Sequence, residues 1–373
     1  LPANPAATLR TPSRGAAPSP GPPAAALRGV RGPGLRGLDL ELAARERLTL
    51  LGPAGAGKSA VLDLLAGFTR PAAGELTLDG RPAAGLPPHR RGLGLVLRDD
   101  GPLPHLTVAG SIGFALAARR DAGGHQSASA ILQALGLAGL GDRRAGALSP
   151  EQRVRAALAR ALAGRPRLVL LDEPFTGLDA PARDAVLGDL LPALTAAGAA
   201  CVLATSDAAL ALALGWRAAV LESGALLQSG PAQELYDQPA TARVARLLGE
   251  ANCLPGRVES VEGDIARVRL DCCLEVEAAA AAMSAGSACL VFIRPERVAI
   301  ATGAAAAMGE GALPAIITGL AWRGDHVHLT LALGGPSPAT LVVTRPAGVP
   351  LAGLAPGQAA AIAWQARHAR VLG

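Results

Sequence analysis

Gly52-Pro53-Ala54-Gly55-Ala56-Gly57-Lys58-Ser59 is the stretch from which the rest of the chain is read. It is a complete G-x-x-x-x-G-K-S phosphate loop. Its glycines let backbone N–H groups curl around phosphate oxygens, Lys58 reaches the β- and γ-phosphates, and the Ser59 hydroxyl can ligate Mg²⁺. Lys58 is the only lysine among 373 residues, and arginine or histidine supplies every other basic position. A compact ammonium is needed at that one place rather than a planar fork. Leu48–Leu51 predicts a buried strand ahead of the loop, and Ala60–Leu65 predicts the helix whose N-terminus faces the phosphates. The phosphate-binding set is therefore Gly52 through Ser59, continued by Ala60 at the helix start.

The next informative text lies more than a hundred residues on. Arg167-Leu-Val-Leu-Leu-Asp172 is an apolar run ending in an acid, as a buried parallel strand would read, and Ala200–Thr205 is another such strand. In a phosphate-loop ATPase the strand-end acid, Asp172, holds Mg²⁺ together with Ser59, and the next carboxylate, Glu173, polarises the attacking water. Ahead of this strand stands Leu148-Ser149-Pro150-Glu151-Gln152. Ser149 suits an N-cap, Pro150 the first helical position, and Gln152 completes an S-x-x-Q capping box. Val154, Ala157, Leu158, Ala161 and Leu162 predict the buried face of that helix, and Gly164 and Pro166 its end.

Alternation of strand-like and helix-like segments from residue 28 to about 240 predicts an α/β domain with parallel strands. The segment from about Asp99 to 150 reads as an inserted helical subdomain. After Asn252 the texture changes. From Arg267 to Glu277 apolar and charged residues alternate, which predicts one half-buried strand, and Val327, Leu329, Leu331 and Leu333 repeat the pattern. Residues 252–373 thus read as a small, barrel-like all-β domain. Trp322 and Trp364 are expected in its core, and His326 and His328 on a solvated strand face. A lack of any third ligand argues against a metal there.

Composition narrows the rest. Net charge is +5, and Arg10, Arg14, Arg28, Arg31 and Arg36 all precede the first acid, Asp39, so a basic leading segment accounts for it and no nucleic-acid partner is expected. The five cysteines contain no C-x-x-C pair and fit a reduced compartment. Residues 1–26 are Pro/Ala-rich and read as a disordered tail without signal-peptide character. Ala278–Ile293 is apolar but falls short of the roughly 20 residues that span a bilayer.

Together, LSPEQ (148–152), ALARAL (157–162), LVLLDEP (168–174) and FTGLD (175–179) resemble the signature helix, Walker B strand and D-loop of an ABC-transporter ATPase. The resemblance runs from about Leu27 to Arg297. It takes in Gly67-Phe-Thr-Arg-Pro-Ala-Ala-Gly-Glu75, Pro104-His-Leu-Thr-Val108 and Val220-Leu-Glu-Ser-Gly224. Leu247-Leu-Gly-Glu-Ala-Asn-Cys-Leu-Pro-Gly256 and Ile293-Arg-Pro-Glu296 resemble the junction and TOBE domain of importer ATPases. The resemblance implies an ABC domain over 27–245 and an OB-like TOBE domain over 252–373. It implies ATP and Mg²⁺ as ligands, and a homodimer or heterodimer of ATPase subunits in which Ser149 and Gln152 meet the partner's ATP. It further implies permease subunits as partners, indirect service to a substrate-binding protein, and a peripheral place on the cytoplasmic side of the inner membrane. The family serves uptake of polyamines, ferric iron, sulfate, molybdate or sugars, and the junction text leans to the polyamine and iron branch.

Four positions depart from the family pattern. Pro150 and Glu151 replace the two glycines of LSGGQ, which removes a donor and brings a negative charge towards a triphosphate. At roughly 5 Å and an effective dielectric near 20, that charge opposes closure by about 3 kcal/mol. Arg98 stands at the Q-loop glutamine, and Ser206 at the switch histidine. Two readings stay open from the sequence: an importer ATPase with compensated sites, or a subunit that binds nucleotide but hydrolyses it slowly or not at all, regulatory or paired with an intact ATPase. A nucleic-acid-linked ABC ATPase is disfavoured, because only about fifty residues separate Arg98 from Ser149 and leave no room for a coiled-coil arm.

Overall fold

The computed structural model describes residues 21–98, 105–118, 128–280, 283–302, 312–349 and 354–373. Most of the expected tail, residues 1–20, lies outside these, as do Asp99 and Asp100 behind Arg98. The chain divides into two units, the first ending at Ala232 and the second starting at Gln233.

The first unit runs β1 (Ala25–Gly32), β2 (Leu35–Leu42), β3 (Arg47–Leu51), α1 (Lys58–Ala66), β4 (Ala73–Leu78), β5 (Arg81–Pro82), β6 (Gly94–Val96), α2 (Val108–Ala118), α3 (Ala128–Ala134), α4 (Pro150–Leu162), β7 (Leu168–Asp172), α5 (Ala180–Ala197), β8 (Ala200–Thr205), α6 (Ala208–Leu214), β9 (Arg217–Glu222) and β10 (Ala225–Pro231). Strand β1 starts two residues inside the segment expected to be tail. Its Ala25, Ala26 and Leu27 are buried against β2 and β4.

Two sheets build this unit. A six-stranded sheet has the order β10-β9-β3-β8-β7-β6, and β9, β3, β8, β7 and β6 are mutually parallel. A four-stranded antiparallel sheet, β2-β1-β4-β5, faces it across a core that includes α1. Along β7, Leu168 and Leu170 pack into that core, while Val169 and Leu171 pack into a second one with α4 and α5 on the other face. Burial on both faces is why β7 reads as an unbroken apolar run. The last turn of α1 is held by Arg91, whose buried guanidinium donates to the carbonyls of Leu64 and Leu65 as well as Ala83 and Leu86. A cation on those terminal carbonyls suits the negative end of the helix dipole.

The second unit starts one residue into α7 (Ala232–Asp237), has α8 (Ala242–Leu248) next and continues through β11 (Asn252–Glu262), β12 (Ile265–Leu270), β13 (Glu275–Ala279), β14 (Ala288–Ile293), β15 (Ala299–Thr302), β16 (Leu313–Trp322), β17 (His326–Leu333), β18 (Ala339–Pro346), β19 (Ala359–Ala363) and β20 (Ala369–Leu372). Strands β11, β12, β13, β20 and β14 close into a barrel, and β15-β19-β16-β17-β18 form a five-stranded sheet. The division falls ahead of the 245–252 junction expected from the sequence. Ala245 on α8 packs with Phe292 and Leu372, and Arg294 donates to the carbonyls of Tyr236, Ala245 and Glu250.

Two sequence expectations are corrected here. Residues 267–277 are not one strand but the hairpin β12–β13, with a turn at Asp271–Cys273 where Cys273 takes a left-handed φ of 65°. The turn preserves the parity of the pattern, so Val268, Leu270, Cys272 and Val276 are all buried and the alternation hides the break. Trp322 is not core: it is 56% exposed at the end of β16, and Trp364 is only partly buried, with its indole N–H on the Glu277 carbonyl.

Candidate nucleotide site

The phosphate loop joins β3 to α1. Gly57 is the N-cap of α1 with φ 102°, a conformation closed to L side chains, and no side chain caps the helix. The first-turn N–H groups are thus left for an outside acceptor. No acid stands in that turn. Gly52 is needed for room: a Cβ there would lie 2.3 Å from the Leu221 carbonyl oxygen. Gly55, with φ 77°, faces open space. Lys58 is buried and folds back over the loop, its Nζ donating to the carbonyls of Gly52 at 2.6 Å and Pro53 at 3.0 Å. Pro53, Ala54 and Ala56 complete the loop, and Ala60 lies in the first turn. Ala56 accepts a backbone bond from Gly224, which ties the loop to the β9–β10 hairpin.

The strand ends supply the carboxylates. Asp172 closes β7, and its Oδ2 accepts from the Ser59 hydroxyl at 2.8 Å, while its buried Oδ1 has no hydrogen-bond partner. A buried carboxylate oxygen without a partner, beside a hydroxyl, fits a hard cation such as Mg²⁺, which takes oxygen ligands. The negative charge is felt nearby: on α1, burial and the charge of Asp172 push the Asp63 carboxyl above its ordinary range.

Glu173 sits just beyond, with φ 45°. Its backbone is fixed by a bond from its N–H to Ala204 O and by Thr176, whose N–H and hydroxyl both donate to its carbonyl. Its carboxylate is buried; Oε2 accepts from Thr205 Oγ1 at 3.4 Å, and Oε1 has no hydrogen bond but faces Lys58 Nζ at 3.6 Å and Arg98 Nη2 at 3.6 Å. Thr205 is a site residue that the sequence reading did not single out. Its one signal is its place immediately before Ser206, at the end of β8. Ser206 itself is exposed, and the following Asp207 caps α6 and accepts from Arg183.

The structure thus brings Lys58, Ser59, Asp172, Glu173 and Arg98 together. Ser149 and Gln152 lie at the start of α4, where both bonds of the expected capping box form: the Gln152 N–H donates to Ser149 Oγ, and the Ser149 N–H to Gln152 Oε1. Glu151 does not project a free charge, as its carboxylate accepts from Arg155 Nε at 2.9 Å. Arg155 is itself buried and also bonds Asp189 on α5 and the Leu135 carbonyl. The charge counted against closure is therefore partly neutralised within its own helix.

Known proteins resemble this chain in both of its parts. Residues 35–176 match the ABC transporter family model, and residues 291–372 match the TOBE domain model. A spermidine/putrescine import ATP-binding protein, PotA, of Ruegeria pomeroyi is 34% identical over 80% of this chain and 81% of its own length. An Fe(3+) ions import ATP-binding protein, FbpC, of Serratia marcescens is 37% identical over 80% of this chain and 84% of its own. Among solved structures, a bacterial Atm1-family ABC exporter with ATP bound has a TM-score of 0.51 at 25% identity, covering 62% of this chain and 43% of that one. The ADP conformation of an ATP-binding cassette of an ABC transporter has a TM-score of 0.52 at 20% identity, covering 61% of this chain and 99% of that one, a likeness of fold alone. With a phosphate loop, a strand-end carboxylate pair and a TOBE domain in one sequence, the chain belongs to the ATP-binding subunits of ABC importers, the ATP hydrolases that work with membrane permeases.

Proposed function

We propose that this subunit couples MgATP hydrolysis to uptake of a small polyamine or of ferric iron, the solutes named for its relatives. One observation carries the mechanism: Lys58, Ser59, Asp172 and Glu173 converge at the uncapped N-terminus of α1. The bare first-turn N–H groups and the loop amides bind the phosphates, and Lys58 leaves its loop carbonyls to pair with the β- and γ-oxygens. Ser59 Oγ and Asp172 Oδ1 would hold Mg²⁺, which offsets phosphate charge when bound. Glu173, held by Thr205, orients the attacking water and takes its proton. Among the described residues no helix is long and apolar enough to cross a membrane, which suits a subunit that docks on permeases from the cytoplasmic side. Ser149 and Gln152 bond each other rather than this subunit's loop, which supports a site completed by the signature helix of a second ATPase subunit.

Replacing Lys58 by alanine tests the reading. MgATP affinity and turnover should fall about 100-fold or more, as when a single preorganised donor is lost. Unchanged binding and turnover in a folded variant would refute the site.

A further inference from the structure

Glu173 is poorly provided with hydrogen bonds for a buried carboxylate. Only Oε2 accepts one, the 3.4 Å contact from Thr205, and Oε1 relies on two cations at 3.6 Å. Those cations are placed differently. Lys58 is buried and already engaged by Gly52 O and Pro53 O. Arg98 follows β6 and is 56% exposed, so it reaches the carboxylate from the solvent side. When phosphates draw Lys58 away, Arg98 is the cation left facing Oε1.

From this we infer that Arg98 is a positioning residue that restrains Glu173: its guanidinium holds Oε1 in an ion pair that must open before the carboxylate can address water. The inference rests on the reading of Glu173 as the base. A separation of 3.6 Å is ionic rather than hydrogen-bonded, and a partner more than half exposed makes the pair weak and open to screening. A weak restraint tunes a rate and does not abolish it. It acts on kcat, because Arg98 is paired with Glu173 and not with Lys58, Ser59 or the loop amides that bind ATP.

The test is steady-state ATP hydrolysis by the full chain, with MgATP binding measured in parallel. Wild type is compared with Arg98→Gln, Arg98→Lys, Glu173→Gln and the Arg98→Gln/Glu173→Gln double variant. Arg98→Gln should raise kcat roughly two- to fivefold and leave KM for ATP within about twofold, as expected for loss of one partly exposed ion pair. Raising ionic strength from about 0.02 M to about 0.5 M should raise kcat of wild type and Arg98→Lys by more than that of Arg98→Gln, which keeps only the buried and less screened Lys58 opposite Oε1. The gain should vanish in the Glu173→Gln background. A fall in kcat for Arg98→Gln, no change in it, or a salt response equal to that of wild type would overturn the restraint. Loss of turnover in Glu173→Gln alongside any of these would leave the nucleotide site standing and sink only the role of Arg98. Full turnover in Glu173→Gln would sink both.

Discussion

Helices α1 and α4 begin in opposite ways. At α1 the N-cap is a glycine with φ 102°, no side chain closes the helix, and no acid stands in its first turn. At α4, Ser149 and Gln152 form a full capping box, Pro150 removes one donor, and Glu151 places a carboxylate in the first turn. The physics of a helix N-terminus is common to both: unpaired N–H groups and a partial positive charge. The first helix leaves them for an anion, and the second satisfies them from its own sequence. The contrast supports the phosphate site proposed at α1, and it makes α4 a weaker anion partner than a glycine-rich helix start would be.

The largest break in this contrast is at α1, where Lys58→Ala removes the cation and the site with it. A smaller effect is expected at α4. Replacing Pro150 and Glu151 together by glycine restores an N–H and removes a charge, and should raise turnover about threefold, the scale of one charge at a helix end. Glu151→Gly alone should give less, because Arg155 already pairs with that carboxylate, and it should cost some stability by loosening Arg155 from its cluster. Equal turnover in the double variant and wild type would show that the α4 end does not limit the cycle.

The smallest effect belongs to Asp63, on α1 beside Asp172. Its carboxyl is raised first by burial and then by the Asp172 charge. A raised carboxyl binds its proton more tightly in the folded state, so its stabilising contribution is complete below the ordinary carboxylate range and is lost as pH rises through the raised value. Asp63→Asn should therefore raise the thermal midpoint slightly at pH 7, on the order of 1 °C, and the advantage should disappear in acid. A gain that persists undiminished in acid would assign it to something other than this charge.

The loop and strand of the proposed phosphate site were legible because each is local. Eight consecutive residues specify the loop, and an apolar run ending in Asp172-Glu173 specifies the strand. The capping box at Ser149 was legible for the same reason, since its partners are three residues apart. What the sequence hid is set through space. The pairing of Arg98 with Glu173 joins β6 to β7, and the contact of Thr205 with Glu173 joins β8 to β7; neither has a sequence spacing to betray it. The partner of Glu151 is local, Arg155 four residues on, a spacing the sequence does show, whereas Asp189, which also holds Arg155, lies on another helix. In the β unit the alternating pattern marked buried positions correctly but ran through the Asp271–Cys273 turn, because period two is blind to a turn that keeps parity. Trp322 shows that aromatic character does not by itself place a residue in a core.

The most direct measurement is steady-state hydrolysis by the full chain beside Glu173→Gln, with MgATP binding followed in both. The account predicts that both proteins bind MgATP and that turnover falls about 100- to 10,000-fold in the variant, the range expected for loss of a general base. Turnover that survives the substitution, or MgATP binding lost with it, would contradict the assignment of Glu173 and of the site built around it.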